Sequence, residues 1–242
     1  MAGVLGLVPA RGGSKGVPHK NLRPLAGHTL LEYVQQAAAA SGVVDRLVLS
    51  TDSPDIADAG RRAGLDVPFL RPASLAQDDT PMLPVITHAL DTLAASGWVP
   101  DIVVLLQPTS PLRRPEHVRA AVEQLRQTGA DSVVTVVELA RHLSPDYVMR
   151  VEDGRLRPFL PEGARVTRRQ DARPAFSREG TVYACWRSTI ERYGSIYGDD
   201  CRPLVIDARD SLSIDSPDDW AEAERRLQAR PRPGGTGAGA SA

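Results

Sequence analysis

Three cations and three glycines share ten positions near the start of the chain: Arg11, Lys15 and Lys20, with Gly12, Gly13 and Gly16. Glycine lets a backbone approach a ligand closely and turn several N–H groups toward one anion. Guanidinium meets phosphate oxygens two at a time, whereas ammonium acts as a point charge. A loop so composed suits a polyphosphate. It is not the GxxxxGK[ST] loop, because Val17 follows Gly16, and it is not GxGxxG. On its own it leaves the reaction open.

The elements around the loop narrow the choice. Val4 to Val8 reads as a buried strand that runs straight into it. Thr29 is placed to cap a helix carrying Leu30, Leu31, Val34 and Ala37. Further strands are expected at Arg46 to Ser50, Val67 to Leu70, Asp101 to Leu106, Ser132 to Val137, Gly180 to Trp186 and Pro203 to Asp207. Helices are expected at Pro54 to Arg62, Pro81 to Ala95, Pro115 to Arg126 and Pro217 to Arg230. The run DIVVLL at 101–106 has the continuous apolar character of a central parallel strand buried on both faces. Strands alternating with helices predict an α/β fold with a mostly parallel, doubly wound sheet. Ligands of such sheets bind beyond the carboxyl ends of the strands. The Arg11 loop, Ser50-Thr51-Asp52 and the Gln107 to Arg113 loop should therefore line one crevice. The rhythm changes at about 143–170, where Glu152-Asp153-Gly154 joins two short strand patterns as a hairpin. Such an arm is marginal alone, so it is expected to pack on a second copy as a homodimer. One domain over 1–230 and a disordered tail over 231–242 complete the reading.

Composition excludes several classes. The net charge of −1 gives no basic field for nucleic acid. Cys185 and Cys201 form no disulfide framework or metal set, and no apolar run is long enough to span a membrane. The start lacks the basic segment of an export signal, so a cytoplasmic location is expected.

Several loops together resemble one family, the acylneuraminate cytidylyltransferases (CMP-sialic acid synthetases). The matching pieces are PARGGSKG at 9–16 with Lys20-Asn21, Ser50-Thr51-Asp52, Arg71-Pro72 with Asp78, LLQPTSPLR at 105–113, Arg169-Gln170-Asp171, Gly180 to Tyr183, and Ile214-Asp215. They occur in the family's order from residue 3 to about 227. The resemblance implies a Rossmann-like nucleotidyltransferase fold with a dimerisation arm. It implies attack by a sugar-acid hydroxyl on the α-phosphate of CTP, with release of pyrophosphate. It assigns catalytic charge to Arg11, Lys15 and Lys20. Nucleotide contacts fall to Ala10, Arg11, Gly12, Gly13, Ser14, Lys15, Lys20, Asn21, Arg71 and Asp78. The acceptor side falls to Gln107, Ser110, Arg168, Arg169, Gln170, Glu179 and Tyr183. One of the two adjacent arginines would clamp an acceptor carboxylate.

Two departures matter. The family's Asp-Ile-Asp metal pair is Ser213-Ile214-Asp215 here, which leaves one carboxylate for Mg²⁺. Asp215 could instead cap the helix that starts at Pro217. The family's Asn-Gly-Ala-Ile-Tyr is Glu179-Gly180-Thr181-Val182-Tyr183, and the preceding Tyr is Phe176. The acceptor is therefore either a nonulosonic (sialic-type) acid or a phosphonate such as phosphonoformate. A nucleotide-binding homologue with impaired catalysis is the alternative of another class.

Overall fold

β3 (Ile102–Leu105) is buried at every position and forms the middle of the molecule. The structure is a computed structural model that describes residues 3–13 and 15–230. The nucleotide contact expected of Ser14 and the disordered tail expected over 231–242 lie outside the described residues. Around β3 runs a six-stranded sheet. Its other strands are β1 (Val4–Pro9), β2 (Arg46–Ser50), β4 (Ser132–Glu138), β7 (Phe176–Trp186) and β8 (Cys201–Val205), in the order β2-β1-β3-β7-β4-β8. All neighbours pair in parallel except β7, which is antiparallel to both β3 and β4.

Alternation along the strands divides the core into two layers. Val4 and Val8 face Leu31, Val34 and Ala38 of α1 (Leu30–Ser41) and Val118, Val122 and Leu125 of α4 (Pro115–Thr128). Leu5 and Leu7 face Ile86, Ala89 and Leu93 of α3 (Met82–Ala95) and Ile190 of α5 (Arg187–Tyr193). α1 begins as expected: Thr29 accepts from the Glu32 amide, and Glu32 accepts from the Thr29 amide at 2.6 Å. A capping arrangement of this kind contributes about 1 kcal/mol. α2 (Pro54–Arg62) covers the β2 edge with Ile56.

One expected element is absent, and one element is present that was not expected. The segment 67–70 is not a strand, although Asp66 bonds to β2 on both sides, through Leu49 N and Leu47 O. Pro68 lacks the N–H that the next ladder position would need. α5 had no sequence signal because it continues directly from β7 without a capping side chain.

A third, smaller cluster matters most for function. α6 (Pro217–Gln228) lays Trp220 and Ala223 on Val17, Leu25, Leu30 and Ile214. Val17 lies within the cationic loop and Ile214 precedes Asp215, so this cluster clamps two distant loops together. Each fully buried aliphatic side chain of this kind contributes about 1.5–3 kcal/mol.

β5 (Met149–Glu152) and β6 (Arg155–Pro158) form a separate antiparallel hairpin. Its turn residues Asp153 and Gly154 have φ of 50° and 71°, the left-handed pair that a two-residue hairpin turn needs. Buried Asp146 anchors its base by pairing with Arg173 at 2.5 Å, which holds the carboxyl down to about 2. The hairpin belongs to neither core layer, and Val151 and Leu156, paired across its strands, are 75% and 68% exposed. Among the described residues no helix is long and apolar enough to cross a membrane.

Candidate active site

β1 and β3 are adjacent and parallel, so their carboxyl ends open on the same side. The loop after β1 carries Arg11, Lys15 and Lys20, and the loop after β3 carries Gln107. Between them lies a cavity of about 350 Å³, whose wall also includes Asn21, Arg71, Asp78 and Asp215.

The first loop is held from below. The Gly12 amide donates to Asp52 Oδ1 at 2.9 Å, and the Asn21 side chain donates to the Arg11 carbonyl at 3.3 Å. The Arg71 amide donates to Thr51 O at 2.7 Å, which brings its side chain beneath the loop. There the Arg71 guanidinium is buried, 3.8 Å from Asp52, and its Nε has no partner. Burial lowers it from the usual guanidinium value, opposed by Asp52. Arg11 and Lys15 both pair with Asp78, which holds that carboxyl below its ordinary value. These cations therefore converge on one anionic position at the cavity wall.

Lys20 sits deeper. Its Nζ donates to the Ile214 carbonyl at 2.7 Å and lies 3.6 Å from Asp215 Oδ1. Burial lowers its pKa, and Asp215 raises it in opposition. A Cβ on Gly16 would run into the Asp215 carbonyl oxygen, so glycine is needed there for close approach. Asp215 does not cap α6. Ser216 and Asp219 form that cap, with Asp219 accepting from the Ser216 and Asp215 amides. The Asp215 carboxylate is exposed, and its Oδ2 accepts from Ser213 Oγ at 3.0 Å.

The far wall is Gln107, Pro108 and Thr109, and a bulge in β7 packs against Gln107. Val134 pairs with Tyr183 and Val136 with Arg178, so residues 179–182 stand opposite Thr135 alone. A Cβ on Gly180 would sit 2.8 Å from Gln107 Oε1 and 3.4 Å from Ser110 Oγ. Ser110 is buried with its hydroxyl unpartnered. Behind them is Arg113, read in the sequence only as part of a motif. Its Nε donates to Thr181 O at 2.6 Å and its NH2 to Gln107 O at 2.7 Å. Complete burial pushes its guanidinium down to about 10. A buried arginine holding two carbonyls fixes the strand end that presents Gln107.

The cavity thus gathers Ala10, Arg11, Lys15, Lys20, Asn21, Arg71, Asp78, Gln107 and Asp215. Gly12 and Gly13 line an adjoining recess together with Arg11 and Asn21. Other residues assigned to the acceptor stand elsewhere. Arg168 is exposed and engaged by Asp171 through both Nε and NH2. Arg169 and Gln170 share that exposed turn, and none of the three reaches the cavity wall. Tyr183 packs edge-on to Tyr197, and burial raises its pKa. Glu179 is turned inward onto Thr181 N and Ser211 Oγ, because the bulge leaves an amide that needs an acceptor.

A larger groove of about 610 Å³ lies between α1, the start of α4 and the end of α6. It shares no lining residue with the first cavity, and two of its arginines, Arg114 and Arg230, are already paired with Asp210. Neither cysteine lines the cavity: Cys185 is buried, which pushes its thiol up to about 12, and Cys201 is exposed on β8. What remains is a cationic half and a polar half facing one cavity. That arrangement positions two substrates and neutralises charge, as nucleotidyl transfer requires.

Comparison with known proteins agrees with the geometry. A family model described as Cytidylyltransferase matches residues 5–192. The chain is 35% identical over 228 residues to the CMP-N,N'-diacetyllegionaminic acid synthase of Legionella pneumophila, covering 93% of this chain and 96% of that protein. It is 31% identical over 224 residues to the N-acylneuraminate cytidylyltransferase of Oncorhynchus mykiss, covering 93% of this chain and 50% of that one. The solved structure of a CMP:2-keto-3-deoxy-manno-octonic acid synthetase complexed with CTP superposes with a TM-score of 0.72 at 17% identity, over 94% of this chain and 99% of that one, which is a likeness of fold. A strand-end cavity with a cationic glycine loop, on this fold and in a sequence matched over 5–192, leads to one conclusion: the chain belongs to the cytidylyltransferase family.

Proposed function

We propose that this nucleotidyltransferase transfers CMP from CTP to a hydroxyl of a nonulosonic acid, the sugar-acid class named for its Legionella relative. The acceptor hydroxyl oxygen forms a bond to the α-phosphorus and gives up its proton to solvent, the bond from that phosphorus to the bridging oxygen breaks, and pyrophosphate leaves. The observation that carries this reading is the convergence of Arg11, Lys15 and Lys20 on the cavity whose opposite wall is Gln107. The triphosphate replaces Asp78 as counter-ion to Arg11 and Lys15. Lys20 then meets the charge that builds up on the leaving pyrophosphate. Asn21 and Arg71 hold the nucleoside end, with Ala10 and the glycine backbone beneath it. Gln107 faces the acceptor; Ser110, buried and off the cavity wall, stands behind it.

The donor set fits Mg²⁺ bound jointly with substrate. Asp215 offers one exposed carboxylate and Ser213 a hydroxyl oxygen, and among the described residues no group of three or more metal-binding side chains exists. Mg²⁺ accepts one or two carboxylates completed by substrate phosphates and waters. When bound it would neutralise phosphate charge. Asp215→Asn is expected to raise the half-saturating Mg²⁺ concentration about tenfold. The same change removes the charge that raises the Lys20 pKa. Lys20 then loses its proton at lower pH, and the alkaline limb of the rate profile moves down. An unchanged Mg²⁺ titration would remove Asp215 from the metal.

The enzyme acts as a homodimer, supported by the exposed apolar pair Val151 and Leu156 on the hairpin. The acceptor is tested by incubating the protein with CTP, Mg²⁺ and a panel of nonulosonic acids and phosphonates while following pyrophosphate. Release with a nonulosonic acid is expected. Release with phosphonoformate alone would transfer the assignment to a phosphonate. No release with any acceptor would leave a nucleotide-binding homologue without turnover.

A further inference from the structure

Glu179 stands where the family's pattern places an amide, yet its carboxylate faces the protein interior. Its two oxygens do different jobs. Oε1 accepts from the Thr181 amide at 2.6 Å, and Oε2 accepts from Ser211 Oγ at 2.9 Å. The first bond matters because the β7 bulge sets four residues against Thr135 alone, so the usual ladder partners are missing. Thr135 Oγ1 accepts from the Val182 amide at 2.9 Å, and Arg113 Nε donates to the Thr181 carbonyl. Glu179 supplies the acceptor for the Thr181 amide in a residue that is fully buried. Left unpaired, that amide would destabilise the bulge enough to reshape it. The second bond reaches the segment that carries Asp215. Ser211 lies four positions before Asp215, and the Ile214 amide in between donates to Thr109 O at 2.9 Å.

We infer that Glu179 is a positioning residue: its carboxylate fastens the β7 bulge so that Gly180 stays packed against Gln107 and Ser110, and it ties that acceptor wall to the Ser211–Asp215 segment. It touches neither substrate. It acts through the backbone of Gly180 and Thr181. The inference rests on the acceptor reading proposed above for Gln107.

The test compares Glu179→Ala, Glu179→Gln, Ser211→Ala and the Glu179→Ala/Ser211→Ala double variant, with N,N'-diacetyllegionaminic acid as acceptor probe. Glu179→Ala should raise the acceptor KM about tenfold while CTP affinity, measured by calorimetry, changes less than about twofold. Glutamine keeps an acceptor for Thr181 N and a partner for Ser211, so Glu179→Gln should restore most of the acceptor KM. Ser211→Ala should cause a smaller rise, and the double variant should match Glu179→Ala alone. Amide exchange at Thr181 should quicken in Glu179→Ala and not in Glu179→Gln. Equal loss of CTP and acceptor binding, a glutamine variant no better than alanine, or unchanged exchange at Thr181 would each overturn the inference. Exchange and CTP affinity do not need the acceptor. If the wild-type protein ignores the probe, the acceptor reading fails while exchange at Thr181 still decides the role of Glu179.

Discussion

Lys20→Ala is expected to lower the rate of pyrophosphate release by about 10²–10³-fold, the usual result of removing a positioned donor from developing negative charge. The circular dichroism and melting curve should stay near those of the wild type. Lys20 is the best placed of the three cations. Arg11 and Lys15 lie nearer the surface and already share Asp78, whereas Lys20 is mostly buried, fixed at 2.7 Å by the Ile214 carbonyl. A charge held in a partly dry site acts more strongly on a neighbouring anion than one in water. Its removal costs the fold one hydrogen bond, worth about 1 kcal/mol. Near-wild-type turnover in this variant would separate the first loop from the chemistry.

Gly16→Ala should be nearly as damaging by a different route. The new methyl would overlap the Asp215 carbonyl, which is backbone and cannot swing aside. The cationic loop and the Asp215 segment must then separate, drawing Lys20 away from Ile214 and loosening Val17 in the α6 cluster. A displacement of about 1 Å commonly costs 10²-fold in rate. Strain of about 1–3 kcal/mol should lower the melting temperature by several degrees as well. Gly13→Ala is the control. Gly13 has φ of 64° but no atom within 4 Å of a Cβ, so its cost is backbone strain of about 1 kcal/mol. If both alanine variants lower the melting temperature equally, contact with Asp215 is not what requires Gly16.

The sheet was legible because its signals are local. After Asp101 the run IVVLL has no polar position to expose, and β3 is buried throughout. Thr29 with Glu32 three residues later marks a helix start, and Asp153-Gly154 marks a hairpin turn. Features that depend on distant partners were not legible. Two misses were local instead: Pro68 breaks what reads as a strand, and α5 starts without a capping side chain. The β7 bulge cannot be read from GTVYACW, because its extra residues are defined only against Thr135 of another strand. The sequence left Asp215 two roles, metal carboxylate or helix cap, and its position alone does not choose between them. Ser216 takes the cap, accepting from the Asp219 amide, while Asp219 accepts in return from the Asp215 and Ser216 amides. Arg113 illustrates the remaining gap. Its type suggests a surface charge or an anion ligand, and only the fold reveals two carbonyls converging on it.

The central claim is that the Arg11–Lys20 loop holds the triphosphate of CTP. Titrating CTP with Mg²⁺ into the wild type and the Arg11→Ala/Lys20→Ala double variant by calorimetry tests it most directly. One equivalent should bind the wild type, and affinity should fall at least about 10²-fold in the double variant while both proteins melt cooperatively. CTP binding of equal strength in both proteins would contradict the claim and place the nucleotide elsewhere.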